Sequence, residues 1–132
     1  MKKIFILTIL LASTLFATLS NEYASQKLLT KHIPIIDIRT PAEWKETGLI
    51  KGAIPIMFFN EQGKPDINAF LKELNAKVDT TKPFGIICHT GSRTSMIAPW
   101  MSEELNYKVV NIKGGMEYAT KALKMKTHPY KK

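Results

Sequence analysis

The residues best suited to chemistry lie in one short stretch, "CHTGSRT", which covers residues 88–94. Cys88 is the only cysteine of the chain, and Arg93 follows it five positions later. A thiolate is a strong nucleophile, and arginine offers a permanent positive charge with a fork of N–H donors that suits oxyanions. Gly91 stands between them, where the backbone can adopt a positive φ or permit a close approach. This spacing predicts a nucleophilic cysteine that meets an anionic partner.

The backbone of the same loop can favour the thiolate form of the sulfur. If the loop closes onto a helix near Ser92 and Arg93, consecutive N–H groups point inward and form an anion-binding concavity at the helix N-terminus. Two plainer interpretations of Cys88 remain open, a small buried hydrophobic residue and a partner in an intermolecular disulfide. An internal disulfide is excluded because it needs a second cysteine.

The elements that must position this loop alternate between strands and helices. Buried strands are predicted at 33–38, 52–56, 84–88 and 107–112, and helices at 25–31, 40–48, 67–78, 92–106 and 116–125. This order predicts an α/β fold with a mostly parallel central sheet of four to five strands and helices on both faces. No clear strand precedes the first helix, so one sheet edge is expected to be short or missing. Ligands bind beyond the carboxyl ends of parallel strands, where Cys88 and the segment 37–39 fall.

Several local signals refine these elements. Thr40 is a helix N-cap, Pro41 suits the first helical position, and Gly48 ends that helix. Pro99 is expected to bend or shorten the helix that contains it. Trp44 is predicted to be a core aromatic residue. The helices at 67–78 and 92–106 carry apolar residues at helical spacing, which predicts a packing face on each. The face of the first consists of Ile67, Phe70, Leu71 and Leu74, and that of the second of Met96, Ile97, Trp100, Met101 and Leu105.

The first twenty residues have the layout of a secretory signal peptide. Lys2 and Lys3 precede an apolar run, and small residues close the segment at Ser20. We therefore divide the chain into a signal peptide at 1–20, cleaved after Ser20 or close to it, and one domain at 21–132, exported to the periplasm. The alternative is an uncleaved anchor, for which the apolar stretch is short. Membrane contact is expected only in that case.

The net charge of the chain limits the classes of binding partner to be expected. The chain carries a formal net charge of +8, which can attract nucleic acid, anionic lipid or small anions. It has no arginine-rich run and no alternation of basic and aromatic residues, so nucleic acid is not expected. A solvated lysine surface and a small anionic substrate remain. His32 and His128 lack partners at metal-ligand spacing, so no metal or cofactor is predicted. The basic tail, 121–132, is expected to be a solvated helix face with a frayed end.

Three segments carry a family resemblance. "IIDIRTPAEWKETGLIKGAIPI" resembles the first signature of the rhodanese-like domain, Asp-x-Arg-x-Pro-x-Glu followed by Gly and then Gly-Ala. "CHTGSRT" is similar to the family's active-site loop, and "VVNIKGGMEYA" to its late strand and Gly-Gly turn. The match runs in order from about Lys27 to Tyr118. It departs at Leu49, where many members have histidine, and at Tyr118-Ala119, where many have alanine-tryptophan.

The resemblance implies a thiosulfate-type sulfurtransferase that uses no cofactor. Cys88 would take sulfane sulfur from a small anionic donor, hold it as a persulfide, and pass it to a thiol, a cyanide-like acceptor or a partner protein. Arg93 would close the loop and orient the donor's oxyanion. Asp37 and Arg39 would support the loop, or form an ordinary strand-end salt link. The N–H groups that the resemblance assigns to the outer sulfur belong to His89, Thr90, Gly91, Ser92 and Arg93.

Three alternatives stay open at this level. Phosphatases and arsenate reductases with a related fold have one more residue between cysteine and arginine, and the four residues 89–92 form the narrower ring. A non-catalytic binding or sensing module of the same fold is a different class, since fold alone does not establish activity. His89 is interpreted as an exposed or substrate-facing imidazole rather than a general base.

Overall fold

A computed structural model describes residues 18–132 of the chain. Its strands are β1 (Leu19–Tyr23), β2 (Ile35–Asp37), β3 (Leu49–Ile50), β4 (Ile54–Pro55), β5 (Phe84–Ile87), β6 (Val109–Lys113) and β7 (Thr127–His128). Its helices are α1 (Gln26–Thr30), α2 (Pro41–Thr47), α3 (Ile67–Lys77), α4 (Ser92–Leu105) and α5 (Gly115–Glu117), the last continuing into a π-helical turn over Tyr118–Ala122. Over this range, no helix has the length and apolar character that crossing a membrane requires.

The central sheet has five parallel strands in the order β1-β6-β5-β2-β4. This confirms the predicted α/β fold. The prediction of a short or missing sheet edge is wrong, because β1 pairs over its whole length with β6, from Leu19↔Val109 to Tyr23↔Lys113. Its polar residues and its overlap with the end of the predicted signal peptide hid the strand. The peptide itself, 1–20, lies outside the described residues apart from its last three.

Helices cover both faces of the sheet, as predicted. On one face α3 and α4 pack against alternate strand residues, and on the other α1, α5 and the π-helical turn pack against the intervening ones. The first cluster contains Ile36, Ile38, Phe84, Ile86, Cys88 and Val109 with Phe70, Leu74, Ile97, Ala98 and Met101. The second contains Ile35, Ile87, Val110 and Ile112 with Leu28, Met116 and Ala119. Cys88 therefore lies on the α4 face.

Helix α2 begins and ends as its sequence predicts. The Thr40 side chain accepts a hydrogen bond from the N–H of Glu43, and the Glu43 side chain accepts one from the N–H of Thr40, so the two form a capping box. Pro41 occupies the first helical position, and Gly48 ends the helix with φ +74°. This local geometry holds the Glu43 carboxylate at the N-terminus of α2.

The other helices differ in detail from the predictions. Helix α4 continues through Pro99, because its buried residues anchor both halves to the sheet. Met96 is 67% exposed and Ile67 is 40% exposed, so neither belongs to a packing face as predicted. Trp44 is buried, as expected.

The C-terminal tail is held against the domain, not frayed. The last helical segment ends at Ala122 instead of 125. Strand β7 then pairs antiparallel with β3. The rings of Tyr130 and Trp44 meet edge-to-face with centroids 5.3 Å apart. Pairing and aromatic packing thus fix a segment that is polar and basic in sequence.

Candidate active site

Cys88 directly follows β5 and opens the loop that leads into α4. Its side chain is fully buried. The N–H of Gly91 donates a hydrogen bond to Cys88 Sγ at 3.2 Å, and Sγ lies 3.7 Å from Thr94 Oγ1. The Thr94 hydroxyl donates to the carbonyl oxygen of Gly91 at 3.2 Å. The sulfur is thus enclosed by a backbone amide and a hydroxyl from the first turn of α4.

The remaining loop residues surround this sulfur. Gly91 has φ +96°, which supports the predicted need for glycine there. His89, Thr90 and Ser92 are exposed, and the hydroxyl oxygens of Thr90 and Ser92 are 3.3 Å apart. Among the described hydrogen bonds, the N–H of Gly91 is the one of the five predicted amides that reaches Sγ. The contribution of the other four stays a prediction.

The segment that follows the Gly-Gly turn after β6 is hydrogen-bonded to the loop. The N–H of Met116 donates to the carbonyl oxygen of Cys88 at 2.8 Å, and that of Glu117 donates to His89 at 2.9 Å. Gly115 has φ +59°, and a Cβ atom there would lie 2.5 Å from both carbonyl oxygens. Real Cβ atoms do not approach that closely, so this contact requires glycine. The predicted tight turn therefore has a specific role in fixing the loop.

Arg93 is bound to α2 by a two-pronged ion pair. Its Nη1 and Nη2 atoms each lie 2.7 Å from an oxygen of Glu43, and both side chains are about one-quarter exposed. Burial raises the pKa of Glu43, but hydrogen bonds from Arg93 and Thr40 and the nearby arginine charges outweigh it and lower this pKa to about 2. The hydrogen bond to Glu43 raises the pKa of Arg93, burial opposes this effect, and the negative charge of Glu43 adds to it. Arg93 directs both terminal nitrogens to Glu43 of α2, and its closing of the loop stays a prediction. Its orientation of a donor stays a prediction.

His89 lies at the edge of the same cluster. Its side chain is half exposed, and Nδ1 is 3.9 Å from Glu43 Oε2. The imidazole therefore faces a carboxylate that Arg93 already occupies. This position agrees with an exposed imidazole.

Asp37 and Arg39 form a fully buried ion pair under α2. Arg39 Nη2 donates to Asp37 Oδ2 at 2.8 Å and to the carbonyl oxygen of Gly48 at 2.8 Å, while Nη1 donates to Thr47. The indole N–H of Trp44 donates to Asp37 Oδ1 at 3.1 Å. Through these hydrogen bonds the pair connects the end of β2 to the middle and the C-terminal end of α2. Its contacts are those of a strand-end salt link, and its support of the loop stays a prediction.

Two residues of the site were not assigned a role from sequence. Glu43 belongs to the Asp-x-Arg-x-Pro-x-Glu signature, but it lies 50 residues before Arg93 and nothing local pairs the two. Thr94 follows Arg93 in the quoted loop, and its hydroxyl becomes relevant only once the helix turn directs it back to the sulfur. The signature was the available signal for Glu43.

A groove of about 610 Å³ opens beside the Arg93–Glu43 pair. Phe59 and Met96 contribute apolar walls to it. This groove explains the exposure of Met96, which faces it instead of the core. Among residues 18–132, no cluster of histidine, cysteine and carboxylate side chains could hold a metal ion.

Comparison with known proteins agrees with this architecture. The family model described as "Rhodanese-like domain" matches residues 20–122. No curated protein sequence matches the chain significantly. The solved structure of Rv0390 from M. tuberculosis is 18% identical, with a TM-score of 0.60 over 74% of this chain and 80% of that one. A rhodanese-like domain protein from Staphylococcus aureus is 20% identical, with a TM-score of 0.56 over 74% and 88%. At these identities the likeness shows the fold alone.

One further structure is somewhat closer in sequence. Bacillus anthracis CoADR-RHD, in reduced form, is 27% identical, with a TM-score of 0.59 over 86% of this chain. The match spans only 18% of that longer chain.

Proposed function

Because the chain belongs to the rhodanese-like domain family, we propose that it is a sulfurtransferase that carries sulfane sulfur on Cys88. The observation that carries the proposal is the hydrogen bond from the Gly91 N–H to Cys88 Sγ at 3.2 Å, at the start of α4. A sulfur anion in this position receives an amide donor and the positive end of a helix. The Gly-Gly turn and the Arg93–Glu43 pair keep the loop in this shape.

The chemistry proceeds in two displacement steps. The Cys88 thiolate attacks the outer sulfur of thiosulfate, the sulfur–sulfur bond breaks, and sulfite leaves with the electron pair. Cys88 then holds a persulfide anion. A nucleophile such as cyanide or a thiolate attacks the outer sulfur, departs as thiocyanate or a persulfide, and restores the Cys88 thiolate. Neither step requires an oxidant or a reductant. The groove beside Met96 is lined by Arg93, and in this proposal the acceptor, or a partner protein, approaches from that side.

A second function, a binding or sensing module, is favoured by one observation. The Cys88 side chain has no exposed surface, and a donor must reach its sulfur. In a module of this kind the loop would serve as a rigid recognition surface and Cys88 as a packing residue. Phosphatase chemistry has less support, because four residues separate Cys88 from Arg93 where a tetrahedral oxyanion needs a wider ring.

The deciding experiment incubates purified protein with thiosulfate and cyanide and follows thiocyanate, with Cys88→Ser as the matched variant. Because the chain has one cysteine, a gain of one sulfur atom by mass spectrometry can be assigned to Cys88. We expect turnover and a persulfide in the wild type, and neither in the variant. Circular dichroism checks that Cys88→Ser is folded. A wild type without turnover and without persulfide refutes the enzyme and favours the binding module.

We also propose that the protein acts after export, on the strength of the signal-like segment 1–20. Removal after Ser20 would take the first two of the five residues of β1. N-terminal sequencing of the protein recovered from the periplasm tests both points. A protein that keeps its first residues and stays in the cytoplasm would refute this proposal without affecting the chemistry.

A further inference from the structure

Cys88, Lys113 and Tyr23 form a row across three neighbouring strands at the carboxyl end of the sheet. Tyr23 is paired with Lys113 in the parallel ladder. Strands β5 and β6 are aligned with Ile86 opposite Asn111, and extending this register by two residues sets Cys88 opposite Lys113. Aligned residues of parallel strands project to the same face, and neighbouring strands lie about 4.8 Å apart. We call these three residues the outer row.

Side-chain contacts agree with this register. Asn111 lies two residues before Lys113 and donates to Ser95 of α4, which assigns the odd-numbered residues of β6 to the α4 face. Cys88 packs on that face as well. A Cβ atom on Gly91 would lie 2.9 Å from the backbone nitrogen of Gly114, the residue after Lys113. The base of Lys113 therefore adjoins the active-site loop.

The other charges around the loop are already neutralised. Both terminal nitrogens of Arg93 bind Glu43, and the His89 imidazole faces the same carboxylate. Glu117, whose N–H holds the loop, is paired with Lys121 at 3.1 Å. Thiosulfate carries two negative charges and the thiolate carries one, so the encounter brings three negative charges close together. A free cation beside the loop would lower the free energy of this encounter.

Lys113 has the properties of that cation. It is exposed, and in the described part of the chain it forms no ion pair. Its Nζ lies 4.7 Å from the centre of the Tyr23 ring, a cation–π contact, and the Tyr23 ring packs on Tyr118 with centroids 4.7 Å apart. The contact holds the ammonium near the outer row, and a cation–π contact at an exposed site is weak. The side chain can therefore turn toward an anion above Cys88.

We propose that Lys113 is the residue that attracts and orients the anionic sulfur donor, with Tyr23 holding its ammonium beside the loop. The inference rests on the proposed sulfurtransferase function. It assigns to Lys113 the oxyanion contact that the loop sequence suggested for Arg93. The sulfite end of thiosulfate would meet the ammonium while the outer sulfur meets Cys88. Lys113 acts through charge and takes no part in the bonds that form and break.

The first test does not depend on sulfur transfer. Iodoacetate is an anion and iodoacetamide is neutral, so the ratio of their alkylation rates at Cys88 reports the local electrostatic potential. In Lys113→Gln we expect this ratio to fall by about 3- to 10-fold at low ionic strength, with the iodoacetamide rate within about twofold of wild type. Lys113→Arg should restore the ratio. Added salt should reduce it in the wild type and have little effect in Lys113→Gln.

The matched control is Lys108→Gln. Lys108 directly precedes β6, is exposed like Lys113, and lies at the opposite end of the strand, about 16 Å away. Lys108→Gln removes the same charge from the protein as Lys113→Gln does. An unchanged ratio of alkylation rates in Lys108→Gln therefore excludes an effect of net charge. An equal fall in both variants, or no fall in Lys113→Gln, overturns the proposal. Failure of both reagents to alkylate Cys88 also overturns it, because an anion must then be unable to reach the sulfur.

The second test uses thiocyanate formation. In Lys113→Gln the KM for thiosulfate should rise by about 3- to 10-fold with kcat changed less than twofold, and Lys113→Arg should reverse the change. A wild type that forms no thiocyanate refutes the proposed function. A wild type that turns over, with kinetics unchanged in Lys113→Gln, overturns only the role of Lys113.

Discussion

Replacing Glu43 by glutamine tests whether the Arg93–Glu43 pair stabilises the loop. The variant keeps the size and the hydrogen-bonding oxygen of the side chain but removes its charge. One pKa unit corresponds to about 1.4 kcal/mol, so a fall from 4.5 to about 2 would amount to about 3 kcal/mol if water were excluded. Since both side chains of the pair are about one-quarter exposed, solvent screens them. We therefore expect Glu43→Gln to lower the free energy of unfolding by about 1–2 kcal/mol at pH 7.

The pH dependence of this difference has a definite sign. The pKa of Glu43 is lower in the folded than in the unfolded protein, so the unfolded state binds more protons between the two values. The stabilisation is complete above about pH 4.5 and disappears as the pH falls toward about 2. Glu43→Gln lacks this contribution at every pH. The difference in stability between wild type and variant should therefore shrink on acidification.

Urea denaturation at pH 7, 5 and 3 measures the effect, followed by circular dichroism. Glu46→Gln is the matched control, because Glu46 lies on the same helix, is exposed, and forms no ion pair in the described structure. We expect its stability to stay within about 0.5 kcal/mol of wild type. Equal stability of the two variants at pH 7 would refute the reasoning. So would a deficit in Glu43→Gln that is as large at pH 3 as at pH 7.

Three further predictions concern the surroundings of the site and are measured by urea denaturation. Gly115→Ala should lower the free energy of unfolding by about 2–4 kcal/mol, because the added Cβ clashes with the loop carbonyls. The control is Gly63→Ala, which has a similar positive φ and nothing within 4 Å of the added Cβ, and should lose only about 1 kcal/mol. Equal losses in the two variants would contradict the close contact at Gly115. Tyr130→Leu should lower the free energy of unfolding by about 1 kcal/mol, because it removes the edge-to-face contact with Trp44. An unchanged free energy of unfolding would mean that this contact does not hold the tail. Asn111→Val should stabilise the protein by about 1 kcal/mol, because the Asn111 Oδ1 atom is buried without a hydrogen-bond partner. The two hydrogen bonds that Asn111 Nδ2 donates go to the exposed Asn21 and Ser95, whose oxygens water can satisfy in the variant, and a loss of stability would show that the amide is needed.

Local sequence signals predicted the parts of the site that depend on neighbouring residues. The Thr40 cap, Pro41 and Gly48 define α2, and the structure has each in its predicted role. The apolar run before Cys88 forms β5, which leaves the cysteine at the carboxyl end of a buried strand. These signals act over a few residues, through backbone dihedral preferences, capping and hydrophobic burial, and so the sequence contains them directly.

Contacts between residues that are distant along the chain were not predicted, even where the residues themselves had been noted in the sequence. Strand β1 was missed because most of its residues are polar or exposed, and because its pairing with β6 crosses about ninety positions. Met96 has helical spacing with buried residues, yet it is exposed and lines the groove together with Phe59, which lies 37 positions earlier in the chain. The tail was expected to fray, and only its pairing with β3 shows otherwise.

The α/β fold, the family and the loop that holds Cys88 can all be read from adjacent residues, because hydrophobic periodicity, capping and a short ordered motif are local properties. Folding, in contrast, sets the partner of Arg93 and the position of Lys113. Arg93 pairs with Glu43 across 50 residues, and Lys113 meets Tyr23 across 90. A charge interaction depends on distance in space and on burial, and folding alone brings these groups within a few ångströms of one another.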